Sequence, residues 1–273
     1  MSESHTLFDR RLLPLRRRRG QSEGFLLEAA GRHLSERLAL VKRAFAKVLI
    51  LGRAPTTLAF PTPPDTLETF VPAADEALPF APKSFDAVVS AIELHWINDL
   101  PGVLVQINRI LKPDGLLLAA LPGGETLKEL RACLLQAEAE VEGGASPRVA
   151  PFVDVRDAGD LLARAGFALP VADLETLKAA YADPLALMRE LRAMGEANLL
   201  RERRKRFTRR ATLMRAVEIY GERFGAKAGG IAATFQLLFL TAWAPAPNQP
   251  KPLAPGSGKV DLRQALAKEK TRG

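Results

Sequence analysis

The sequence predicts an α/β fold built on a mainly parallel sheet, and three observations carry that reading. Short, near-continuous apolar runs such as "VLIL" (48–51) and "LLLAALP" (116–122) are what strands covered on both faces require. Segments with apolar residues at helical spacing lie between such runs. Turns rich in proline or glycine separate the two kinds, and strands alternating with helices imply right-handed crossovers onto one sheet.

Taken in order, Leu26, Leu27, Ala30, Leu34, Leu38, Val41 and Phe45 share one helical face, so an amphipathic helix is expected from Phe25 to Phe45. Val48–Leu51 is the first strand. Residues 53–66 hold Pro55, Pro61, Pro63 and Pro64; each lacks an amide donor and resists a helix interior, so this stretch is read as an extended loop. Leu67–Val71 is the next strand, ended by Pro72. "SFDAVVSAIELHWI" (84–97) reads as a turn, a strand over Ala87–Ser90 and a loop, and "LPGVLVQINRIL" (100–111) as a helix.

"KPDG" (112–115) is a turn in which proline presets φ and glycine tolerates a positive φ. It launches "LLLAALP". Thr126–Glu142 is helical and stopped by Gly143–Gly144, 155–167 is a short helix with a glycine end, and "ALPVADLETLKAAY" (168–181) is strand-like. A charged, mostly helical block at 184–224 precedes a last strand, Thr234–Trp243. The organisation expected is a basic arm at 1–24, one domain over 25–245 and a Pro/Gly-rich flexible tail at 246–273.

Composition narrows the function classes. The 273 residues are 47% hydrophobic, enough for a sizeable core, and no apolar run approaches the roughly 20 residues that cross a bilayer. The N-terminus is arginine-rich but has no apolar segment with a small-residue cleavage site. One cysteine, Cys133, excludes an internal disulfide and a cysteine-based zinc site; its place in a helical pattern reads as core. The three histidines, His5, His33 and His95, lie in unrelated contexts with no ligand spacing, so no metal is expected. The net charge of +8 concentrates in the N-terminal arm and in "RERRKRFTRR" (201–210), which reads most simply as a solvated helix face and otherwise as a surface for nucleic acid, anionic lipid or an acidic protein partner. No reading motif or interleaved aromatics accompany it, so nucleic acid is not the expected partner.

The stretch 73–131 carries a resemblance. With "FDR" (8–10), "LHWINDLP" (94–101), "LKPDG" (111–115), "GGETLKELR" (123–131), "ARAGF" (163–167), "MGEAN" (194–198) and "TFQLLFLTAWA" (234–244), it resembles class I S-adenosylmethionine (SAM)-dependent methyltransferases. Within them it is similar to the biotin-synthesis malonyl-carrier methyltransferases and to the respiratory complex I assembly factors, one of which is described as a protein-arginine hydroxylase. The resemblance implies a Rossmann-like fold with SAM across the carboxyl ends of the strands. It implies that Gly52 lets the backbone approach the cofactor and that Asp75, Glu76, Ala77 and Leu78 meet the adenine. Ser90 and Ala91 would line the cofactor, and Leu94, His95 and Trp96 the substrate cleft. Asp75 is equally able to cap a short turn, and His95 and Trp96 to serve as packing.

The chain departs from that pattern at the first strand. Ile50 stands where the family has an acid, and Ala54 and Thr56 stand where it has glycines. The 23 residues from Gly52 to Ala74 are too few for the two crossovers and the strand that the fold requires there. The sheet is therefore expected to be truncated after its first strand, without the acid that holds the ribose, and to carry a helical insertion before its last strand. Two functions follow: a SAM-dependent enzyme acting on a protein or small-molecule acceptor in an altered pocket, its catalytic residues unassigned, or a pseudoenzyme scaffold. The scaffold would hold a protein client, such as a complex I subunit, through the basic 201–210 region, or modify it as the hydroxylase does. The place expected is the bacterial cytoplasm, or the mitochondrial matrix of a eukaryote.

Overall fold

A computed structural model describes residues 6–20, 22–226 and 229–250. His5 and all but the first residues of the expected tail lie outside the described residues. Six strands form one sheet in the order β2-β1-β3-β4-β6-β5: β1 (Lys47–Leu51), β2 (Thr66–Phe70), β3 (Phe85–Ala91), β4 (Leu111–Pro122), β5 (Ala168–Tyr181) and β6 (Ile231–Trp243). β1 to β4 are parallel; β6 runs antiparallel to both its neighbours.

The apolar runs explain the layering. Successive strand residues point to opposite faces. Val48 and Ile50 therefore enter one core with α2 (Phe25–Leu40), α4 (Lys128–Glu142) and α7 (Arg210–Phe224), and Leu49 and Leu51 enter another with α3 (Leu100–Ile110) and α5 (Val155–Arg164). All four residues are at most 1% exposed. On α2 the buried stripe is Leu26, Ala30, Leu34 and Leu38, one residue every fourth position. The helix ends at Leu40, earlier than its apolar spacing predicts, because Val41 turns extended. Phe45 still reaches the core, from the following loop.

The truncation is visible in the pairing. β2 is hydrogen-bonded directly to β1, Val48 opposite Leu67 and Leu51 opposite Phe70, and residues 52–65 join them without a helix. With no crossover helix over it, β2 leaves Leu67 51% exposed. The insertion between β5 and β6 is α6 (Pro184–Ala193), a loop over 194–209, and α7. The basic run 201–210 is thus almost wholly loop, not a helix face. Its Arg203 lies 3.6 Å from Asp9, and Arg204 pairs with Glu142, while Phe207 is fully in solvent.

Two turns differ in detail from expectation. In 112–115 the left-handed residue is Asp114 (φ 62°), not Gly115, and β4 already begins at Leu111. The helix expected from Thr126 starts at Lys128, since Leu127 is itself left-handed (φ 56°) and donates its amide to Thr234. Its stop is the one expected, with Gly143 at φ 70°. Cys133 is buried in the core, and burial pushes its thiol up to about 11.

Leu34 and Leu40 separate the buried stripe from the exposed end of α2 (0% against 80% exposed). Leu34→Ala is expected to cost about 2–5 kcal/mol in urea unfolding. Leu40→Ala is expected to stay within about 0.5 kcal/mol. Equal losses would contradict the placement of α2.

Candidate functional site

The carboxyl ends of β1 to β4 all open on one edge of the sheet. β1 and β3 are adjacent while their connections leave in opposite directions, so this edge holds the switch point where ligands of open α/β sheets collect. Three loops meet there: 52–65 after β1, 71–84 after β2 and 92–99 after β3. The N-terminal segment lies across them. It forms a 3-10 turn (Arg10–Leu12) and α1 (Leu13–Arg19), is tied down by a Phe8–Leu200 bridge, and packs Phe8 edge-on against Trp96 at 5.3 Å.

Arg10, whose side chain is 2% exposed, fills the space between the loops. Its Nη2 donates to the Pro72 carbonyl (3.0 Å) and lies 3.5 Å from Glu93 Oε1, and its Nη1 lies 3.2 Å from Glu76 Oε1. Glu93 is wholly buried and also accepts from Arg17 Nη1 at 2.7 Å. Glu76, in a left-handed conformation (φ 60°), accepts from the amides of Asn98 (2.7 Å) and Asp99 (2.9 Å). The third acid is Glu196, from the loop after α6. It accepts from Arg53 Nη2 (2.9 Å) and Trp96 Nε1 (2.9 Å), and His95 Nε2 lies 3.0 Å from it.

Arg10, Arg17 and Arg53 thus balance Glu76, Glu93 and Glu196, with His95 beside them. Such a cluster survives burial only because the charges cancel locally. Burial by itself raises the Glu196 carboxyl, but the hydrogen bond and charge of His95 and the charges of Arg17 and Arg53 outweigh it and hold it below its ordinary value. Satisfaction is incomplete. Seven buried polar atoms of the cluster have no hydrogen-bond partner among the described residues: Arg10 Nε and Nη1, Arg17 Nε and Nη2, Arg53 Nε, Glu93 Oε1 and His95 Nδ1.

The residues that the resemblance implies for SAM are brought to this edge but are occupied otherwise. Gly52 is at φ 103°, as a close backbone approach needs, yet what approaches is Glu93: a Cβ on residue 52 would stand 2.6 Å from the Glu93 Cβ. The Ser90 hydroxyl donates to the Leu51 carbonyl, and Ala91 is buried. Asp75 is exposed and closes a local turn onto the Ala77 amide (3.3 Å), while Ala77 is exposed and Leu78 is core. β2 ends in Thr69 and Phe70, followed by Val71 and Pro72, with no carboxylate among them. Asp65 and Glu68, the acids nearest to it in sequence, lie outside its carboxyl end, and Glu68 pairs with Lys47. The residues present do not fit the nucleoside of SAM in this arrangement: no carboxylate stands at the end of β2, and Arg10 with Glu76 and Glu93 fills the space between the loops.

Beside this closed half lies an open one. A cleft of about 310 Å³ runs from the end of β4 (Pro122, Thr126, Leu127) between α4 and α6, with Leu130, Leu134, Met188, Leu191 and Phe235 as apolar walls. His95, Trp96 and Glu196 form its inner end, so both aromatic side chains expected at the cleft are there, and Leu94 is buried core beneath them. Among the described residues no group of three or more His, Cys, Asp or Glu is placed to hold a metal. Sequence reasoning missed Arg10, Arg17, Arg53, Glu93 and Glu196 as members of a site. Arg10 and Glu196 lay within "FDR" and "MGEAN", two of the segments that carry the resemblance, and that was the available signal.

Because the folded state lowers the Glu196 carboxyl from 4.5, its contribution to stability is complete above that value and lost as pH falls through the folded value. Glu196→Gln is expected to lower stability by about 3 kcal/mol at pH 7, since it leaves Arg53 without its charge partner. The deficit should shrink on acidification below about pH 4. A deficit that persists unchanged at pH 3 in thermal melts would contradict the assignment.

With this geometry, comparison with known proteins is informative. Residues 35–119 match the family described as "Methyltransferase domain". Arginine-hydroxylase NDUFAF5, mitochondrial, of Danio rerio is 40% identical over 230 residues, covering 84% of this chain and 71% of that protein. Its Homo sapiens namesake is 36% identical over 260 residues, covering 87% of this chain and 75% of its own length. The malonyl-[acyl-carrier protein] O-methyltransferase of Gallionella capsiferriformans (strain ES-2) is 38% identical over 173 residues, 63% of this chain and 57% of that one. The matched domain lies within the six-stranded, mostly parallel sheet described above. At these identities and coverages, the chain belongs to the NDUFAF5 family of methyltransferase-domain proteins.

Proposed function

We propose that this chain is an assembly factor of respiratory complex I, that it receives a protein client at the cleft beside Trp96, and that methyl transfer from SAM is not its working reaction. The observation that carries this reading is the Arg10 side chain between Pro72, Glu76 and Glu93. A nucleoside would have to displace a buried cation and strand two carboxylates, and each lost partner costs on the order of 1–3 kcal/mol or more. The open cleft keeps the apolar walls and few polar groups that a recognition pocket needs. The relatives' name supports a protein client, and hydroxylation of a client arginine is the modification that name brings to this chain. The basic run 201–210 adds a charged surface for a subunit of the quinone reductase, in the bacterial cytoplasm or, in a eukaryote, the mitochondrial matrix.

A second reading, a SAM-dependent methyltransferase with an altered pocket, is supported by Gly52 at φ 103° and by the malonyl-carrier relatives. Titration calorimetry with SAM and with its demethylated product separates the two. The assembly reading expects no heat at millimolar ligand together with capture of a quinone-reductase subunit. Micromolar binding abolished by Asp75→Ala would overturn it in favour of the enzyme.

A further inference from the structure

The carboxyl ends of α1 and α6 abut: the Ser22 amide donates to the Ala193 carbonyl, and Gly20 and Gly195 allow the close contact. Arg16, Arg19 and Arg192 surround a cavity of about 180 Å³ there, floored by Ala197. None of the three has an ion pair or a side-chain hydrogen bond among the described residues, although most arginines of this chain's other clusters do. Arg203 adds a fourth cation nearby. Burial lowers the Arg16 guanidinium, and Arg203, Arg19 and Arg192 lower it further, with no acid opposing them.

The bland explanation is that cations at helix carboxyl ends offset the helix dipoles. Each such end carries about −0.5 of a charge, and less for a helix as short as α1. Two ends neutralise at most about one of three guanidiniums, so roughly two positive charges stay uncompensated. The cavity also adjoins the apolar cleft, since Arg192 and Ala197 line both. A ligand reaching across them presents an apolar group to Leu191 and Met188 and about two negative charges to the arginines.

We propose that this basin and the adjoining cleft are the docking site for an acidic peptide segment of the client, an apolar side chain entering the cleft and two neighbouring carboxylates meeting Arg16, Arg19 and Arg192. This rests on the protein-client reading and specifies its recognition chemistry. A carboxylate matches the planar guanidinium fork, and two of them on one strand of peptide give the charge that the basin lacks.

The test is fluorescence anisotropy of the full chain at low salt with a labelled dodecapeptide of alternating acidic residues around one leucine. Its leucine-to-serine and all-lysine counterparts are the comparisons. The acidic leucine peptide is expected to bind, the serine peptide at least about threefold more weakly, and the lysine peptide not at all. Binding should fall steeply between low salt and 0.3 M, as exposed charge pairs do. Arg19→Glu with Arg192→Glu changes two exposed residues, and is expected to weaken binding at least tenfold with an unaltered thermal melt. Equal binding by that variant, equal binding of the serine peptide, or full displacement by low-millimolar inorganic phosphate would overturn the proposal. Capture of the quinone-reductase subunit by the charge-reversed variant would overturn this site alone and leave the assembly reading standing. Micromolar SAM binding with peptide binding retained would do the reverse.

Discussion

A guanidinium held out of water between two carboxylates is the constraint on which this structure depends. Arg10 is fixed by Glu76, from the loop after β2, and Glu93, from the loop after β3, and both acids are themselves buried. An isolated ion at this depth would cost several kcal/mol, so the three groups must stay together. That requirement orders the N-terminal segment. It brings Phe8 onto Trp96, places Arg17 on Glu93, and sets α1 against the end of α6. It also decides what Gly52 is for: its missing Cβ gives room to the Glu93 side chain.

The shortened connection after β1 creates the conditions for this cluster. With β2 directly beside β1, the loop 52–65 has no helix to enter and instead folds onto α2 and the residues before it, where Thr56 donates to Glu23 and Thr57 to the Glu28 carbonyl. Arg53, one residue past the glycine, then reaches Glu196, which joins the closed half of the edge to the open cleft. The strand ends hold a set of internal ion pairs, beside a cleft of ordinary ligand size.

What could be read in the sequence was what local chemistry decides. "VLIL" and "LLLAALP" read as doubly covered strands and "LPGVLVQINRIL" as a helix, and they are β1, β4 and α3; the start of α3, where the Asp99 carboxylate accepts from the Gly102 amide, went unread. The four prolines of 53–66 excluded a helix there, and so revealed the truncation. The cluster was not legible, because its pairs join residues as distant as Arg17 and Glu93 or Arg53 and Glu196, and no spacing rule links them. Likewise the run 201–210 looked helical from its charge alone. Its arginines are distributed instead, Arg203 towards Asp9 and Arg204 towards Glu142, which draws the chain out into a loop. At Asp114 the turn took the positive φ on aspartate, which tolerates it next best after glycine and asparagine.

The central claim is that the strand-end crevice is filled from within the chain. A crystal structure of the full chain grown with saturating S-adenosylhomocysteine tests it most directly. The account predicts Arg10 between the Pro72 carbonyl, Glu76 and Glu93, with no nucleoside density over Leu78. An adenosyl group stacked there, with the Arg10 side chain turned out to solvent, would contradict it.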